Sequence, residues 1–218
     1  MDRETKKVAY AVLSGDGTLT FFYDDKKDLH SGSVIYELNR AGWRTHAKEI
    51  EKVVFDDSFA NYTAVDSTVK WFWGCENLRD IVGIINLKTD NVVNMAGMWY
   101  GCKSLTSLDL SSFNTEKVHS MDFMFLDCSS LVELDVSSFN TGNVTSMMAM
   151  FSHCSALSRL DLSGFNTENV KYMSGMFELC TSLVDLDINN FITKNVISNN
   201  EMFYMCPALK RIDLSKIG

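Results

Sequence analysis

The chain has 218 residues, 46% of them hydrophobic and 22% charged, with a net charge of −8 and an isoelectric point near 5.0. That is enough apolar material for a sizeable core. The acidic balance, with no cationic patch legible in the sequence, excludes a nucleic-acid binder, which needs a basic stripe to neutralise phosphates. No stretch approaches the roughly 20 apolar residues of a membrane span.

At the N-terminus Lys6 and Lys7 precede only residues 8–13 of apolar character, too short a run for the core of a secretion signal. Two expectations follow: an intracellular protein, or a mature or trimmed form of an exported one. Residues 8–13, the Ser14-Gly15-Asp16-Gly17 turn and residues 18–23 predict a β-hairpin. It serves as the N-terminal cap, over 1–46, that a stack of repeats requires. Residues 24–33 are charged and loop-like. A degenerate first repeat is expected over 47–74: Ile50, Val53, Phe55 and Phe59 imitate its strand half, and Ala47 stands where a cysteine would fall. Trp71, Phe72 and Trp73 then lead into Cys75.

From 75 to 218 the chain is periodic, as five units of 26–27 residues and a partial one. Cys102, Cys128, Cys154, Cys180 and Cys206 are spaced by 26, and Cys75 lies 27 before the first of them. After each of these five cysteines Leu stands at +3, Leu or Ile at +6 and Asp at +7, and Phe stands at +11 in each full-length unit. A fixed period in the twenties marks a solenoid, whose units cannot close a core alone. Around Leu108, Asp109 and Leu110 the pattern alternates, predicting a short strand with Asp109 outward. Val118, Met121, Phe125 and Cys128 step by three, four and three, predicting a helix with Thr115 as its N-cap. Thr141, Thr167 and Thr193 hold the same place. The expected fold class is therefore α/β: a right-handed solenoid, parallel strands on one face and short helices on the other.

The motif LxxLDLSxFNTxNVxxMxxMFxxC runs through residues 105–128, with Glu116 and Lys117 in place of the usual residues, and again through 131–154 and 157–180. It resembles the 26-residue leucine-rich-type repeat of BspA-like bacterial surface proteins, which also occurs in mycoplasma lipoproteins. The resemblance covers the chain from Trp71 onward. It implies an exported or cell-surface protein that adheres to a protein or glycan partner, such as a host matrix protein.

The cysteines form a line with no CxxC pair, so zinc is not expected; a column of buried thiols is the preferred reading and disulfides between neighbouring units the alternative. The methionine columns read as core filler. Asp109, Asp135, Asp161, Asp187 and Asp213 form a file of like charges that something must offset. On the same face stand Ser107, Glu133, Arg159, Asp185 and Arg211, and Arg159 and Arg211 are expected to bridge flanking acids, with the +9 serines donating as well. These ten residues are the candidate partner-binding strip; a framework role and cation binding are the competing readings. Trp43, Trp73 and Tyr100 are a candidate aromatic patch, with packing beneath the cap as the alternative. The four histidines are scattered and no catalytic motif is present, so no enzyme and no cofactor are expected. The pattern stops part-way through a unit at Gly218, so the natural chain is expected either to continue or to form a homodimer through that end. A spacer or self-assembling stalk, or an intracellular scaffold, are the alternatives to an adhesive module.

Overall fold

A computed structural model describes residues 6–30, 32–38 and 41–210. Five strands form one mixed sheet in the order β3-β1-β2-β4-β5: β1 Val8–Leu13, β2 Thr18–Asp24, β3 Val34–Glu37, β4 Lys52–Phe55 and β5 Asp80–Val82. The predicted hairpin is there, β1 against β2, with Leu13 opposite Leu19. Gly17 closes the turn at φ +79°, and a Cβ on it would lie 2.6 Å from the Glu49 carbonyl oxygen, so only glycine fits. β2 then pairs parallel with β4, and β4 with β5, which joins the hairpin edge to edge with the first rungs of the repeat. Phe21 from β2 stacks on Phe55 at 4.7 Å and on Trp71 at 5.4 Å, so the front core is continuous with the repeats.

Beyond β5 the expectation of strands on one face and helices on the other is corrected. Leu108 and Leu110 do point inward and Asp109 outward, as the alternation predicts. Yet this stretch is extended chain rather than sheet; among its isolated β-bridges is one between Arg159 and Asp185. On the other face, among the described residues, there is no α-helix at all. The stretch leading to each cysteine is a run of overlapping turns. The amides of Met98, Tyr100 and Cys102 donate three residues back, while those of Met95, Gly97, Trp99 and Gly101 donate to Ser120, Asp122, Met124 and Leu126 of the next unit at 2.7–3.0 Å. A helix satisfies its amides internally; here every second one crosses to the neighbour, which ties the units together through backbone.

Two residues per unit sit in the left-handed region, five and one before each cysteine: Gly97 and Gly101, Phe123 and Asp127, Ala149 and His153, Gly175 and Leu179, Glu201 and Met205. They interrupt any helix. The predicted apolar stripe is nevertheless buried, because a run of turns brings side chains inward at nearly the same interval: Val118, Met121, Met124, Phe125 and Cys128 are all fully enclosed. Trp99, Phe125, Phe151, Phe177 and Phe203 stack in a file 5.3–5.8 Å apart with rings within 7° of parallel.

The threonines are not helix caps either. Thr115 Oγ1 donates to the Asn140 carbonyl at 2.9 Å and accepts the Asn140 amide at 2.8 Å, one unit on. Thr89 clips Asn114, Thr141 clips Asn166 and Thr167 clips Ile192 in the same way. The asparagine before Thr115, Thr141 and Thr167 turns the chain by accepting the amide two residues on, as Asn114 does from Glu116 and Asn140 from Gly142. The second asparagine of the motif reaches back, Asn143 to the Glu116 carbonyl and Asn169 to that of Gly142, both at 2.7 Å. The FNTxNV segment is thus a fastener between units.

Candidate binding surfaces

The strip expected to meet a partner is the exposed edge of the extended stretches. Ser107, Asp109, Glu133, Asp135, Arg159, Asp161, Asp185 and Asp187 are all exposed along it; Arg211 and Asp213 lie outside the described residues. The aspartates are held by their own turns. Asp109, Asp135, Asp161 and Asp187 accept the amide two residues on at 2.8–3.0 Å. The hydroxyl and amide of Ser111 hold the Asp109 carboxyl below the usual carboxylate range; Ser137 does so for Asp135, and Ser163, amide first, for Asp161. The expected arginine ladder is corrected accordingly, because among the described residues Arg159 makes no ion pair. Arg159 instead lines a cavity of about 470 Å³ with Ser158, Val184, Asp185 and Lys210. Val132 and Val184, each 47% exposed, stand on the same strip.

At the front, the expected patch divides. Trp43 is fully buried, edge-on to Phe21 and Trp71, and its indole N–H donates to the Trp71 carbonyl at 2.6 Å. It belongs to the core because the 3-10 helix Gly42–Glu49 lays it under the sheet. Trp73 and Tyr100 do come together: half-buried, their rings lie 3.8 Å apart and 2° from parallel. Gly97 makes room for this stack, since a Cβ there would lie 2.7 Å from the Trp73 ring. Lys70 Nζ sits 4.5 Å from the centroid of that ring. Lys70 was not legible as a site residue, for it occupies a column that otherwise holds Gly97, Phe123, Ala149, Gly175 and Glu201.

The cysteines are free thiols. Cys102, Cys128, Cys154, Cys180 and Cys206 each donate S–H to the carbonyl of the aromatic residue one unit back, at 2.9–3.3 Å. Burial pushes the Cys75 and Cys128 thiols up to about 12, and those of Cys102, Cys154 and Cys180 upward as well. They are therefore protonated donors inside the repeats, and the nucleophilic thiolate is suppressed. Among the described residues no three His, Cys, Asp or Glu side chains converge as metal ligands, and no helix is long and apolar enough to cross a membrane.

No curated protein matches the chain. A solved structure similar to it is the crystal structure of a leucine-rich repeat protein from Bacteroides ovatus ATCC 8483, at 16% identity over 86% of this chain, with a TM-score of 0.40. The match takes in 53% of that protein, so the chain spans about half its length. The model of a family described as "Mycoplasma protein of unknown function, DUF285" matches twice, over residues 44–134 and 130–216. The two matches cover the same repeats that carry the BspA-like motif, and together they take in most of the chain. It is a BspA-like repeat protein and belongs to the DUF285 family.

Proposed function

We propose that the chain is a non-catalytic binding module of a bacterial cell-surface protein, a right-handed solenoid that engages a protein or glycan partner along its extended strip. The observation that carries this reading is a division of labour. The residues that recur, Leu, Asp, Phe, Asn, Thr and Cys, are spent on core, turns and clips, whereas Glu133, Arg159 and Asp185 differ from unit to unit and face solvent, and Arg159 and Asp185 line an open cavity. A rigid strip of varied side chains binds through many modest contacts, with selectivity set by the charge pattern. The likeness to BspA-like surface proteins supports the location and the adhesive role.

The test is a binding array of matrix proteins and glycans probed with the native chain and with a variant carrying E133Q, R159Q, D161N and D185N. Asparagine at 161 keeps an acceptor for the Ser163 amide, so the fold is preserved. Loss of about tenfold or more in affinity, a cost near 1.4 kcal/mol, with an unchanged melting curve is expected. Unchanged binding would move the interface elsewhere. A spacer is the second reading, favoured by the crossing backbone bonds that stiffen the stack. The homodimer expected through the last unit falls largely on residues 211–218, outside those described.

A further inference from the structure

We propose that a groove at the junction of cap and repeats, walled by Arg44, Lys70 and Trp73, binds a carboxylate-bearing sugar. The groove has a volume of about 470 Å³, within the roughly 300–1,000 Å³ usual for small-ligand sites, and its lining holds two cations and no acid. In a chain of net charge −8 this is a local reversal of sign that no run of sequence displays, because the two cations come from separate elements. Arg44 lies on the 3-10 helix Gly42–Glu49, and Lys70 opens the turns of the first repeat. Arg44 Nε donates to the Ala41 carbonyl at 3.3 Å, which fixes the guanidinium. Among the described residues neither cation has an ion-pair partner.

The aromatic wall completes the chemistry. Trp73 is held flat by its stack on Tyr100, and its other face, which the Lys70 ammonium covers, receives the C–H side of a pyranose ring as that flexible side chain turns aside. A carboxylate on that ring then meets Lys70 Nζ, already 4.5 Å from the indole centroid, and the fork of Arg44. Arg44 also walls a second groove of about 450 Å³, where Tyr62 and Asp66 stand. Asp66 accepts from the hydroxyls of a following sugar, and it repels a run of acidic side chains. An acidic saccharide therefore fits the pair of grooves better than an acidic peptide.

The experiment titrates the full chain with a tetrasaccharide of alternating glucuronate and N-acetylglucosamine, reading tryptophan fluorescence. Trp73 is only half-buried while Trp43, Trp71 and Trp99 are enclosed, so a ligand here quenches one indole selectively. Saturable quenching is expected, weakened about tenfold or more by R44Q and by K70G, and about tenfold weaker for the carboxyl-reduced, neutral tetrasaccharide. Lys70 is in the left-handed region, where Gly97 and Gly175 stand in later units, so K70G removes the charge without straining the fold. The four-site strip variant leaves this binding intact, which separates the two proposals. No saturable quenching, equal affinity for the neutral sugar, or equal affinity for a short poly-glutamate peptide would each overturn it.

Discussion

The front of the molecule and its repeats bury apolar surface by different means. Through β4 and β5 the chain is an ordinary sheet, with paired strands, a surface ion pair between Lys52 and Asp80 at 3.1 Å, and a one-off cluster of Phe21, Trp43, Phe55 and Trp71. From Ile84 onward sheet pairing thins to single bridges, and cohesion passes to turn amides, threonine clips, thiols and a file of stacked rings. The contrast teaches that a repeat unit this short needs no regular secondary structure. What it needs is for most of its buried polar groups to find partners, many of them one unit away.

The largest expected effect breaks the repeat side of the comparison. Phe151→Ala removes a ring from the middle of the file, with Phe125 and Phe177 5.6 and 5.8 Å away, and leaves a cavity that flanking turns cannot close. Chemical denaturation should show a loss of about 3–5 kcal/mol.

A smaller effect, of opposite sign in the two regions, comes from one substitution made twice. Thr141→Val deletes a hydroxyl that both donates to and accepts from Asn166, and so orphans two backbone groups; a cost of about 2–3 kcal/mol is expected. Thr68 stands near the front in the column that otherwise begins Met95, Met121, Met147, and among the described residues its buried hydroxyl has no partner. Thr68→Val should therefore stabilise, by about 1 kcal/mol. Equal effects at the two sites would refute the clip.

The smallest concerns the left-handed positions, glycine at Gly74, Gly97 and Gly101 near the front but Glu201 in the last full set of turns at φ 59°. Glu201→Gly relieves that strain on an exposed residue, and thermal melts should show a gain of about 0.5–1 kcal/mol.

How far the fold was legible follows from the same residues. Periodicity in size and polarity placed the cysteine, methionine and phenylalanine columns correctly, because burial depends only on interval. It did not distinguish a helix from overlapping turns, since both return a side chain to the core every three to four residues. The residues that settle the matter, Phe123, Asp127, Ala149, His153 and Leu179, carry no glycine to betray their backbone. The threonine clip was invisible for another reason: its partner lies 25 residues on, beyond any local pattern. At the candidate surfaces the alternation put the strip outward, and the shared position of Trp73 and Tyr100 two residues before a cysteine made them neighbours, though not a stack. The burial of Trp43 and the approach of Arg44 to Lys70 were not, because both depend on how a non-repeating segment docks.

Because Thr115 is bound to Asn140 just as Thr141 is to Asn166, the joints fastened by Thr89, Thr115, Thr141 and Thr167 are interchangeable with one another. Excising or duplicating any whole block of 26 residues remakes an equivalent joint at the cut, whereas a change of a few residues leaves one clip facing nothing. Genes for such chains are accordingly free to lengthen or shorten in quantised steps, and reach becomes a trait adjustable by recombination without redesigning a single contact.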